Sequence, residues 1–191
     1  MYKNIRRAAV AILAVMFVSI AACSWFDDEK DEPELDQTPP VLSIAPVDIS
    51  TIVSVIQFGA DLTPTQKNPA FEYVVNSADV NVVASCGGVV EKVALNDVFA
   101  DYEVWVKVSA NSAWKLIYDH VKNVSVSEGQ SITAGTVLGK VGEGNRTELQ
   151  INKRDGSNEL SYCPFNYATT DFINAHKAFM EIWCLLDTVQ P

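Results

Sequence analysis

From Val41 onward, apolar and polar positions follow the two-residue period of half-buried β-strands. The segment Tyr102–Val108 is the clearest case. Val104, Val106 and Val108 fall on one face, and Glu103, Trp105 and Lys107 on the other. A second strand is expected over Trp114–His120, with Trp114, Leu116, Tyr118 and His120 sharing a face. The turn residues Ala110-Asn111-Ser112-Ala113 between them predict an antiparallel hairpin. Val41–Phe58 is rich in Val and Ile and broken by Pro46, while Pro64 and Pro69 mark loops. Ala78–Val93 reads as two Val-rich strands around a bulge or close approach at Gly87-Gly88.

Five of the nine glycines lie between Gly129 and Gly144, separating very short apolar pieces, so this stretch reads as small strands joined by tight turns. Gly142-Glu143-Gly144 lacks the Lys-Ser/Thr and the helix of a phosphate loop and reads as one more turn. After a last strand at Glu148–Lys153, the spacing changes to helical. Thr169 or Thr170 can cap a helix in which Phe172, His176, Phe179, Trp183 and Leu186 form a core stripe with His176 at its edge. This helix is expected over residues 169–191.

The first 22 residues have a different character. Lys3, Arg6 and Arg7 precede an apolar run from Ala8 to Ala22, short for a membrane span and right for a signal-peptide core. The run ends in Ile20-Ala21-Ala22-Cys23, which resembles the lipobox of bacterial lipoproteins and implies that Cys23 is acylated and becomes the first mature residue. The chain beyond it is then extracytoplasmic, held on the periplasmic face of an outer membrane or on the outer surface of the cell envelope. Residues 23–40 follow as an acidic, Pro-containing tether. Seven of the ten residues from Asp27 to Asp36 are acidic, and such a segment cannot bury enough apolar surface to order itself. Seventeen residues of it would reach at most about 55 Å.

A formal charge of -10 excludes a nucleic-acid partner, because phosphate binding needs a basic patch. Two histidines, His120 and His176, are too few for zinc hydrolases built on three or four. With Cys23 set aside, Cys86, Cys163 and Cys184 allow one disulfide and leave one thiol. Sequence does not choose among the pairings, and a Cys163–Cys184 bridge pinning the last helix is the first expectation.

An ordered series within residues 70–165 resembles the lysostaphin-type (LytM-type) zinc endopeptidases, which cut peptidoglycan. Val82-Val83-Ala84-Ser85-Cys86-Gly87-Gly88-Val89-Val90 is similar to the family's V-x-A-x-x-x-G-x-V strand pair, and Tyr118-Asp119-His120-Val121 to its Tyr-x-His-Leu element. The run Val126–Gly142 follows V-x-x-G-Q-x-V-x-x-G-x-x-I-G-x-V-G almost position for position, and Cys163-Pro164 with Tyr167 resembles the closing Pro-x-x-Tyr. The resemblance implies an all-β, barrel-sandwich (duplicated hybrid motif) domain over residues 41–168, closed by the short C-terminal helix.

Active members of that family hold zinc through a His-x-x-x-Asp element and the second His of a His-x-His. Counting from Ala84, the Asp falls on Tyr73 and the first His on Pro69, and a slip of one residue would bring Glu72 to the Asp position. The His-x-His falls on Glu148-Leu149-Gln150. A catalytic zinc needs three ligands and an open fourth position, and this set does not supply them. No cofactor is therefore expected. His120, which in active members helps stabilise the reacting centre, remains as a vestige.

The resemblance then implies a catalytically inactive, peptidase-like lipoprotein, a pseudoenzyme whose former cleft binds peptidoglycan or a cell-wall hydrolase in cell-wall remodelling. Tyr73, Tyr118, His120, Glu148 and Gln150 are expected to line that groove, with Trp105 and Trp114 adding stacking surfaces. The alternative is an active metalloendopeptidase with an unconventional zinc site drawn from Glu72, Glu148, His120 and Cys86. Lipoyl or biotinyl carriers share such glycine-spaced turns, but Lys92 lacks the setting of a modified lysine. An efflux adaptor would need long heptad helices that the eight residues between Val93 and Tyr102 cannot provide.

Overall fold

A computed structural model describes residues 34–191. The expected signal peptide, Cys23 and the first part of the tether lie outside the described residues. Glu34–Pro191 forms one compact unit. Its strands are β1 (Ile52–Ile56), β2 (Asp61–Thr63), β3 (Gln66–Lys67), β4 (Ala70–Val75), β5 (Asn81–Val83), β6 (Gly88–Asn96) and β7 (Asp101–Lys107). They continue as β8 (Trp114–Lys122), β9 (Ser131–Ile132), β10 (Val137–Val141), β11 (Arg146–Asp155) and β12 (Asn158–Tyr162). Helix α1 (Thr170–Phe179) and strand β13 (Thr188–Val189) complete the fold.

Eleven of these strands build one antiparallel sheet whose main path runs β1-β4-β11-β8-β7-β6-β9. β5 and β10 branch from β8, and β12 and β13 branch from β11. The main path ends on two different strands, so the sheet is not a closed barrel, but the all-β class with one short helix is as expected. The predicted β7–β8 hairpin is present, with Val106 opposite Leu116 and Trp105 opposite Ile117. In the glycine-spaced run, Gly129 and Gly135 take φ of 81° and 85° at the turns flanking β9, a region of φ/ψ space that glycine enters without a Cβ clash.

The core lies between the curled sheet and the C-terminal segment. Leu116, Tyr118, Leu149, Ile151, Val104 and Val106 are fully buried from the sheet side. Against β4 sits an aromatic cluster in which Trp183 contacts Phe71, Tyr73 and His176 at ring-centre distances of 5.0, 5.6 and 4.8 Å. His176 is therefore central to the core, not at its edge. Nδ1 of its ring donates to the Phe172 carbonyl at 2.8 Å, and Nε2 accepts from the Tyr73 hydroxyl at 3.0 Å.

Two boundaries differ from the expectation. The helix spans ten residues instead of the whole of 169–191; Thr169 caps it by accepting from the Phe172 N–H, and the chain turns extended at Met180. Beyond it, main-chain hydrogen bonds from Phe58 N–H to Trp183 O and from Leu185 N–H to Phe58 O draw residues 183–185 against Phe58. These tertiary bonds outweigh the helical spacing of Trp183 and Leu186. Cys184 is bonded to Cys163, and Cys86 is a buried free thiol whose pKa burial raises to about 11.

The other boundary is the end of the tether. Residues 34–37 are seated on the β7–β8 turn. Asn111 donates to the Glu34 carbonyl, Ser109 to the Asp36 carboxylate, and the Trp114 indole N–H to the Gln37 carbonyl at 3.0 Å.

Candidate functional site

A groove of about 250 Å³ opens on the outer face of β7, β8 and β11, lined by Glu103, Trp105, Lys115, Asp119, Glu148 and Gln150, among others. A larger cleft of about 550 Å³, around Ile44, Val47 and Val80, is mainly apolar and lacks such a constellation of titratable groups. Register sets up the groove's chemistry. Glu148 on β11 stands opposite Glu72 on β4 and opposite Asp119 on β8, so three carboxylates lie in a row across adjacent strands. Burial, reinforced by the neighbouring Glu72 and Asp119, raises the Glu148 pKa to about 8, against the pull of Arg146. Glu148 is thus largely protonated at neutral pH. Asp119 is also shifted upward, chiefly by burial. Arg146 donates from Nη1 to Glu72 at 3.0 Å.

His120 reaches this cluster through a bulge. Tyr102 pairs with Val121 and Val104 with Tyr118, so three steps along β8 match two along β7, and His120 takes φ of 55°. Regular alternation would send Asp119 and His120 to opposite faces. With the bulge, His120 Nε2 lies 3.6 Å from both Asp119 Oδ2 and Glu148 Oε1. Its Nδ1 donates to Asp101 Oδ2 at 2.9 Å, and its backbone N–H to Asp119 Oδ1 at 2.6 Å. The Phe99 ring covers it edge-on at 5.1 Å, leaving His120 only 2% exposed. The arrangement is an Asp–His couple beside a protonated glutamic acid, under an aromatic cover.

The expected groove residues divide accordingly. Glu148 and Gln150 line the groove, Trp105 forms part of its wall, and His120 lies just beneath it. Tyr73 does not line it: it is fully buried on the opposite face of β4, bonded to His176. Tyr118 is likewise buried on the core face of β8, where its oxygen accepts from the Ser85 N–H at 2.7 Å; burial moves both tyrosine pKa values upward. Trp114 packs against Tyr162 and Tyr167 and offers no stacking face to the groove. The Trp105 ring attracts this chain's own ammonium groups, Lys92 and Lys115, at 4.5 and 4.2 Å from its centre. Sequence reasoning missed Asp101, Asp119, Arg146 and Phe99. The pair Asp119-His120 was visible in the motif, but nothing in it signals a bulge.

Residues 71–160 match peptidase family M23. No curated protein matches the chain. Among solved structures, Csd3 of Helicobacter pylori superposes with a TM-score of 0.52 at 18% identity, over 73% of this chain and 39% of that one. The chain thus spans well under half the length of Csd3. The catalytic domain of the prophage-encoded M23 protein EnpA from Enterococcus faecalis, in a point-mutant form, gives 0.51 at 18% identity over 65% and 93%. A chain of the SpoIIQ–SpoIIIAH pore-forming complex gives 0.53 at 23% identity over 74% and 99%.

The family's zinc does not fit the residues at its expected positions. The pairing of Glu72 with Glu148 places Glu72, not Tyr73, on the groove side, so the slip of one residue holds. Glu72 is taken by Arg146, and the Gln150 amide is taken by Asn152 and Ser161. Pro69 has no donor atom to offer, and the Asn68 amide beside it donates to the Ile56 and Gln57 carbonyls. A carboxylate already in an ion pair and two carboxamides are a poor set for Zn²⁺, which favours imidazole and thiolate. Residues 71–160 thus match peptidase family M23 in sequence, and the fold is similar to that of solved M23 proteins.

Proposed function

We propose that this chain is a lipid-anchored envelope protein whose M23 domain has lost cleavage and uses its groove to bind peptidoglycan peptides or a cell-wall hydrolase. One observation carries the reading. At the positions where the family holds zinc, this chain has the Glu72–Arg146 ion pair and the committed amide of Gln150. What remains is an acidic cleft with hydrogen-bonding groups and an aromatic wall, suited to peptide and sugar chemistry. A similar fold in the SpoIIQ–SpoIIIAH complex, where one protein assembles with another, favours a partner-binding role. The rival reading, an endopeptidase with substitute ligands, requires an ion with an open coordination position. His120 under Phe99 leaves little room for one.

The test is muropeptide release from purified peptidoglycan by the full chain. No release above buffer is expected, and His120→Ala should change nothing; peptide release by the parent protein that this substitution abolishes would sink the proposal.

The anchor is proposed on the lipobox-like Ile20-Ala21-Ala22-Cys23. Cells expressing the chain should incorporate labelled palmitate into it, and Cys23→Ala should abolish the label. Undiminished labelling of that variant would rule out the anchor.

A further inference from the structure

We propose that the outer face of β7, β8 and β11 is a two-ended groove for a short extended peptide with both termini free. The ammonium of that peptide sits among Glu103, Asp119 and Glu148, and its carboxylate beside Lys107 and Arg154. The inference rests on the reading of this groove as a binding site and names the chemical class of its ligand.

Strand alternation and register sort charge along the groove. Glu103, Trp105 and Lys107 share one face of β7, and Asp119, Ile117 and Lys115 share the matching face of β8. The acidic members stand together at one end. Glu148 is opposite Asp119, and Glu103 lies between Tyr102, paired with Val121, and Val104, paired with Tyr118. Toward the β7–β8 turn the sign reverses: Lys107 is opposite Lys115, and Arg154 lies two residues beyond Asn152, which is also opposite Lys115. Cavities of about 250 and 150 Å³ cover the two ends and adjoin, with Trp105, Lys115 and Glu159 lining both.

The charges at the ends are not all spent within the chain. At the basic end, Lys107 and Lys115 pair with Glu91 and Glu159 at 2.7 and 3.0 Å, and Lys115 also leans over Trp105. Arg154 donates through Nε to the Gly156 carbonyl and forms no ion pair among the described residues, so its two terminal NH2 groups suit a carboxylate. At the acidic end, Arg146 is held by Glu72 at 3.0 Å and lies over Phe99. Glu103 accepts from the Trp105 indole at 2.8 Å, and neither it, Asp119 nor Glu148 pairs with a lysine or arginine among the described residues. An ammonium placed there offsets the mutual repulsion of three gathered carboxylates.

Opposite unspent charges at the two ends select a ligand with the complementary pair. Four residues of β8 separate Asp119 from Lys115, about 13 Å of strand. A fully extended tetrapeptide spans about the same distance. Between the ends, Trp105 and Ile117 supply an apolar floor for small side chains. A neutral glycan leaves both ends of this groove unanswered.

The test is a nuclear magnetic resonance titration of the full chain with tetra-alanine in three forms: free-ended, N-acetylated and C-amidated. Saturable binding of the free-ended peptide is expected, with shifts at the Trp105 indole and the Gln150 amide, and each capped form should bind about fivefold or more weakly. The capped forms probe both ends in the parent chain, whether or not any variant folds. Glu103→Gln keeps an acceptor for the Trp105 indole; it should weaken the free-ended peptide by a similar factor and leave the N-acetylated one unchanged. Arg154→Gln should likewise weaken the free-ended peptide and leave the C-amidated one unchanged. Equal affinity for free and capped peptides, equal loss of all three in the variants, or no saturable binding overturns the inference. A chain that ignores tetra-alanine but binds a cell-wall hydrolase overturns the peptide ligand and keeps the binding groove. Loss of cleavage is read by muropeptide release alone, so the two readings fail separately.

Discussion

Trp183→Ala is expected to destabilise the domain by about 3 to 5 kcal/mol, the range for deleting a fully buried tryptophan. Trp183 joins parts of the chain that are distant in sequence. Its ring meets Phe71 and Tyr73 of β4, Phe165, and His176 of α1, and its indole N–H donates to the His176 carbonyl at 2.9 Å. Alanine leaves a cavity between sheet and helix and removes one of the two hydrogen bonds that the carbonyl accepts, the other coming from the Met180 N–H. The disulfide at the next residue keeps the segment tethered, so the loss appears as reduced stability and not as an unfolded tail. Urea unfolding monitored by far-ultraviolet circular dichroism measures it. A change below about 1 kcal/mol would mean that the aromatic cluster is not the keystone of the C-terminal half.

Acid should destabilise the same region through His176. Burial holds its pKa down to about 4, against about 6.5 for an unfolded histidine. The folded state therefore resists a proton that the unfolded state accepts. Stability on this account is complete above about pH 6.5, falls as the pH drops toward 4, and levels off below, for a total of about 3 kcal/mol. Protonation would also put a hydrogen on Nε2, where the ring now accepts from Tyr73. His176→Gln cannot titrate, so the difference in unfolding free energy between parent and variant should shrink steadily from pH 7 to pH 4. A difference that stays constant over that range would remove His176 as the cause. Glu148 and Asp119, with raised pKa values, contribute in the opposite direction, and the comparison with the variant cancels them.

Local patterns in the sequence found most of the sheet. The alternation through Val104, Trp105 and Val106 gave the correct faces of β7, and the glycine run Val126–Gly142 marked the turns around β9 and β10. Failures came where tertiary structure overrides a local period. Tyr118-Asp119-His120-Val121 contains no glycine or proline to announce a bulge, yet one extra residue there reverses the face of His120. The same parity problem put Tyr73 in the groove in place of Glu72, because counting from a motif fixes position only to about one residue, and one residue decides the face. The stripe continuing to Leu186 has helical spacing, but pairing with Phe58 draws that segment extended. Asp101 was invisible for another reason: an aspartate after a loop looks solvated, and only the fold shows it buried against His120.

The docking of residues 34–37 also bears on how the domain can be cut for study. A fragment beginning at Val41 would remove Gln37, whose carbonyl satisfies the Trp114 indole, and Leu35, which packs against the core. It would expose the end of the β7–β8 hairpin that positions Trp105 on the groove wall, and remove the hydrogen bond of the Trp114 indole N–H together with the packing of Leu35. The boundary of the folded domain therefore precedes the Thr38-Pro39-Pro40 segment, and the acidic stretch contributes its last residues to the fold.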